Sequence, residues 1–120
     1  MMHYIIATDQ GVQMMSKEGQ LDFTWALDQL GLEERKLTPV SLHDVVPNVV
    51  LFCDEEAQYD QQGFSFRIAA DEDKFTMRVF GPFIVTALNN AATDFYGLSD
   101  EQLSILQMKL TIQPFEEFKV

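Results

Sequence analysis

Between Phe64 and Phe80 the chain carries two alternating apolar sets around a charged tip. Phe64, Phe66, Ile68 and Ala70 are separated by Ser65, Arg67 and Ala69, and Phe75, Met77 and Val79 by Thr76, Arg78 and Phe80. A period of two is the signature of strands, and two such runs joined by Asp71-Glu72-Asp73-Lys74 form a hairpin. With those four residues as the loop, Ala70 pairs with Phe75 and Arg67 stands opposite Arg78. Like charges opposed across two strands repel by roughly 0.2 to 1 kcal/mol, so an acid or another anion is expected beside them. An internal ion pair with Glu55 or Asp60 is the first expectation, and an anionic ligand or a partner carboxylate held by Arg67 and Arg78 the second.

The rest of the chain supplies more strands and a few helices. A strand is predicted over 3–8, a turn at Asp9-Gln10-Gly11 and a second strand over 12–16. Asp22 is placed to cap a helix whose stripe Phe23, Ala26, Leu27 and Leu30 ends at Gly31. Residues 32–47 contain two prolines and read as an irregular connection with a short helical turn at 41–46. Val49-Val50-Leu51-Phe52 is β-branched and apolar on both faces, as a central strand requires, and a polar loop containing Asp54, Glu55, Glu56 and Asp60 is expected to follow and to close at Gly63. Gly81-Pro82 and the spacing of Ile84, Leu88, Ala91 and Phe95 predict a buried core helix that Gly97 terminates. Ser99-Asp100-Glu101-Gln102 forms a capping box for a last helix carrying Leu103, Leu106 and Leu110 and limited by Pro114. The tail 115–120 reads as an edge strand or a frayed end.

These elements define one α+β domain over residues 1–120, a mostly antiparallel sheet of four to six strands packed against two or three helices. At 13.7 kDa the scaling of surface with mass gives roughly 6,600 Å² exposed when folded against about 20,000 Å² unfolded, so a core forms without disulfides. Cys53 is the only cysteine, which excludes an intramolecular disulfide and fits a reducing, cytoplasmic setting. No secretory signal or transmembrane run is read, and no internal repeat.

The sequence contains no phosphate-cradling glycine loop, nucleophile elbow, paired-histidine zinc helix or Cys-x-x-Cys, so neither a catalytic site, a metal nor a cofactor is expected. A calcium loop counted from Asp54 would need glycine and glutamate where Tyr59 and Ser65 stand. His3 reads as a satisfied strand histidine. Cys53, next to Asp54-Glu55-Glu56, lies in a negative field that raises its thiol pKa. Trp25 and Phe80 lie off the core stripes and read as aromatics resting on neighbouring segments, with interface anchors the alternative.

Charge is the strongest global signal. The formal net charge is -11, from 19 acids and 8 bases, and residues 37–66 hold five acids and no base. Such a field attracts a basic protein and repels nucleic acid and anionic membrane. The expectation is a small cytoplasmic binding protein that neutralises a basic partner, most concretely an immunity-type inhibitor of a nucleic-acid-acting toxin or nuclease. Its contacts would come from Asp54, Glu55, Glu56, Asp60, Asp71, Glu72 and Asp73. Acidity that serves solubility alone is the competing explanation. The alternatives are a small enzyme or anion-binding domain using Arg67, Arg78, His43 and Asp44, a phage-type DNA mimic, and an oligomeric structural module.

Overall fold

The computed structural model describes residues 2–18, 23–32, 37–42, 44–61, 63–70, 75–88 and 95–114. The charged tip of the 64–80 hairpin, 71–74, and the tail, 115–120, lie outside them, as do Asp22 and His43. Among the described residues there are nine strands in two sheets and three helices, all strand pairs being antiparallel. The α+β class holds.

The first sheet runs β2-β1-β7-β4-β3, formed by Gly11–Lys17, Met2–Thr8, Phe83–Leu88, Val49–Asp54 and Leu37–Ser41, with the two-residue β8, Phe95–Tyr96, also paired to β7. The second is β6-β5-β9, formed by Phe75–Phe80, Ser65–Ala70 and Leu110–Pro114. The β5-β6 hairpin has the register expected from its alternation, Ala70 opposite Phe75 and Arg67 opposite Arg78.

Strand alternation divides the interior into two cores. One side of the larger sheet presents Ile5, Leu51, Phe83 and Val85 to Phe66, Ile68 and Val79 of the smaller sheet. Phe66 stands edge-on to Phe83 across this gap, centroids 5.3 Å apart at 90°, the arrangement that ring quadrupoles favour. The other side presents Tyr4, Ile6, Val50, Phe52 and Ile84 to Ala26 and Leu30 of α1, Phe23–Leu30. That helix ends as expected at Gly31, φ +69°, where the Leu32 amide donates to the Leu27 carbonyl at 2.9 Å.

Four segments depart from the sequence-based expectations. The buried core helix over 83–95 is instead strand β7, with residues 89–94 outside the described set. Residues 83–87 are fully enclosed by β1, β4 and both cores, and a strand buried on both faces reads as a continuous apolar run that periodicity cannot separate from a helix. Gly81, φ +75°, donates its amide to the Phe64 carbonyl at 2.9 Å and turns the chain from one sheet into the other within two residues. Enclosure has a cost at Thr86, whose buried hydroxyl has no hydrogen-bond partner among the described residues, worth about 1–3 kcal/mol.

The irregular connection contains strand β3, tolerated because Pro39 lies on a sheet edge. The polar loop contains α2, Glu55–Asp60. The last helix, α3 (Asp100–Lys109), starts with the expected capping box, Ser99 with Gln102, but stops at Lys109, and Leu110 opens β9 rather than extending the helical stripe. Leu110 pairs with Ala70, so the open edge of β5 takes over the chain.

Residues 97 and 98 wedge between β1 and β7: the Leu98 amide donates to the His3 carbonyl at 2.8 Å. A Cβ on Gly97 would lie 2.7 Å from Met2 Cα and 2.8 Å from the His3 nitrogen, with backbone rather than a flexible side chain in the way. Gly97→Ala is therefore expected to lower stability by about 1–3 kcal/mol, the usual cost of overpacking, measured by urea denaturation. An unchanged midpoint would show that the wedge yields freely.

Candidate functional site

The acidic segment is shaped by one buried carboxylate. Asp54, last residue of β4, is only 4% exposed and caps α2, accepting from the Glu56 amide at 3.1 Å. It was expected at a binding surface; its burial and its capping bond assign it to the scaffold. What it launches is the exposed part. Glu55, Glu56, Tyr59 and Asp60 face outward along α2, while Ala57 and Gln58 turn inward. Glu55 and Glu56 in the first turn are favoured by the helix dipole.

A single side chain anchors α2 to the second sheet. Gln58 receives the Phe80 amide on Oε1 at 2.9 Å and donates through Nε2 to the Phe80 carbonyl at 2.6 Å, imitating a strand neighbour. It also donates to the Asp54 carbonyl at 3.1 Å. Three acids and Tyr59, 89% exposed, are thereby fixed on a small raised surface. Tyr59 was not singled out from sequence. The signal was present in Asp54 two positions before Glu56 and in the paired acids of a first turn, which together mark a helix start.

Arg78 lies beside this surface. Its Nε donates to Ser65 Oγ at 2.9 Å and its guanidinium sits over the Phe80 ring, 4.4 Å from the centroid. Arg78 thus reaches along the strand toward Ser65 and Phe80, while Arg67, directly opposite it, is half-buried. Phe80 is buried and serves both Gln58 and Arg78. Trp25 is partly buried, edge-on to Tyr4 at 4.7 Å and 5.8 Å below Lys17 Nζ. Both aromatics rest on neighbouring segments.

Asp71, Glu72 and Asp73 lie outside the described residues, so their position relative to α2 is not part of this geometry; His43 lies outside as well, and Asp44 is exposed in the turn after β3. His3 bonds Ser16 Oγ through Nδ1 at 2.8 Å, with Nε2 3.7 Å from Asp100. Among the described residues no three His, Cys, Asp or Glu side chains group as metal ligands.

The Cys53 thiol is fully buried and its Sγ donates to the Thr38 carbonyl at 3.7 Å. Burial, aided by the charge of neighbouring Asp54, pushes it up to about 12. The direction agrees with the sequence reading, but burial is the larger cause.

Comparison with protein-family models, with curated proteins and with solved structures finds no match.

Two outcomes are expected. Gln58→Ala removes both bonds to Phe80 and should cost roughly 1–3 kcal/mol, with faster hydrogen exchange at the Phe80 amide; an unchanged exchange rate would show that Gln58 does not hold this edge. For Cys53, the folded pKa lies above the unfolded one, so the unfolded chain ionises first as pH rises. Stability is complete below about pH 9 and falls toward about 12. Thermal melts should show this decline, and Cys53→Ala should flatten it while lowering stability at neutral pH.

Proposed function

We propose that the protein is a small binding protein that captures a basic protein through α2. The observation that carries the reading is the outward presentation of Glu55, Glu56 and Asp60 around an almost fully exposed Tyr59, on a helix held by the Asp54 cap and the Gln58 clamp. An exposed tyrosine ringed by charge is the composition of an interface anchor, and a fixed helix loses little freedom on binding. The net charge of -11 supplies long-range attraction for a cationic protein and repulsion from nucleic acid and anionic membrane. The most concrete form of this reading is an immunity-type inhibitor, in which the carboxylates occupy positions where a nuclease or other nucleic-acid-acting toxin receives phosphates. A cytoplasmic setting accords with the one buried, protonated thiol.

The test is affinity capture from native cells at low salt, using the wild type and a Glu55→Lys/Glu56→Lys/Asp60→Lys variant with Tyr59→Ala as a separate arm. A strongly basic protein should be retained by the wild type and lost with the triple variant, at nearly unchanged melting temperature. With the purified pair, association should slow by about tenfold or more in the triple variant, and the difference should shrink as salt rises. Tyr59→Ala should act mainly on dissociation. Retention of no basic protein, or capture indifferent to charge reversal, would sink the proposal.

A further inference from the structure

Among the described residues, and apart from the two-residue β8, the two sheets have four lateral edges, and three are blunted. On β3, Pro39 removes a donor from the middle of the edge. On β6, Gln58 occupies the amide and carbonyl of Phe80. On β9, Pro114 closes the strand. The fourth edge, β2, is seven residues in unbroken register with β1, contains no proline, and has Val12, Met14 and Met15 exposed at 40%, 51% and 41%.

The register fixes which groups β2 offers. Thr8 and Gly11 close a two-residue loop and form a hydrogen-bonded pair, and such pairs alternate along an antiparallel ladder. Gly11, Gln13, Met15 and Lys17 therefore bond to β1, leaving the amides and carbonyls of Val12, Met14 and Ser16 directed to the open side. The Met14 side chain lies on the sheet face instead, at a groove of about 270 Å³, where its sulfur accepts from Gln107 Nε2 at 3.5 Å.

Charge selects the occupant. Residues 2–17 contain one acid, Asp9, and one base, Lys17, so this hairpin is formally neutral while the remainder of the chain carries the whole -11. Two copies repel one another nearly everywhere else, and here they do not. Antiparallel pairing centred on Met14 sets Val12 opposite Ser16 and Met14 opposite itself, satisfies all three exposed residues with six hydrogen bonds, and brings Lys17 opposite Gly11 of the second copy, two residues from Asp9 in its turn. The same contact is made twice about the two-fold axis.

We propose that β2 pairs antiparallel with β2 of a second copy, Met14 facing Met14, to join two protomers through a continuous sheet. The experiment is sedimentation equilibrium on the full chain up to about 200 µM, where a micromolar dimer is nearly complete. A mass twice 13.7 kDa is expected. Met14→Glu places two carboxylates against each other at the axis and should weaken association at least tenfold. Its melting temperature at low concentration should change little, because Met14 is half-exposed in the single protomer and a glutamate carboxylate can accept from Gln107 in place of the sulfur. Should that variant fold poorly, the charge pair gives a second reading: Lys17→Asp weakens the dimer, and Asp9→Lys added to it restores the dimer at the wild-type net charge. A monomer at every concentration, or a dimer that neither Met14→Glu nor Lys17→Asp weakens, would overturn the proposal; binding of a strand from another protein would appear as the first of these.

Discussion

Hydrogen bonding along both sides of β7 is the constraint on which the remaining architecture rests. The strand pairs with β4 on one side and with β1 and β8 on the other, and its alternate side chains feed the two separate cores. Phe83 and Val85 face the smaller sheet and Ile84 faces α1. Neither core exists without this strand in place. Full burial of a residue such as Phe83 contributes about 1.5–3 kcal/mol, and the contact of Phe83 with Phe66 joins that burial to the orientation of the second sheet.

The acidic helix is an outgrowth of the same frame. Chain leaving the enclosed strand β4 has to bring Asp54 with it into a buried position, and the carboxylate is accommodated because it accepts from the Glu56 amide, one of those left free in the first turn of α2. From there Gln58 docks the helix onto Phe80, the last residue of β6 and the point at which the chain crosses toward β7. The exposed face of α2 is consequently tied to the sheet framework through Asp54 and Gln58, and its acids stay out of the interior.

How much could be read in advance differs from element to element. The β5-β6 hairpin was legible to the exact pairing of Arg67 with Arg78, because its two faces differ in polarity and a slip of one residue would turn Phe66 and Ile68 out of the core. Helix α1 and the start of α3 were legible because Gly31 and Ser99 with Gln102 act through local backbone groups. Strand β7 was not, since Ile84, Val85 and Ala87 are apolar on either side and satisfy a helical spacing equally well. Of the candidate site, the clustering of Glu55, Glu56 and Asp60 was visible; the loss of Asp54 to capping and the gain of Tyr59 were not, because both follow from the unexpected helix α2.

By itself, then, the amino-acid order determined the α+β class, the register of the β5-β6 hairpin, the Gly31 and Ser99 caps and the excess of negative charge, all of which arise from interactions between near neighbours in the chain. Only the tertiary structure decided that residues 83–88 are a strand, that the strands separate into two sheets, and that Asp54 is interior while its neighbours are exposed. Those outcomes depend on which distant backbone groups are free to accept a hydrogen bond and on which side chains compete for the same enclosed volume, quantities that no local pattern encodes.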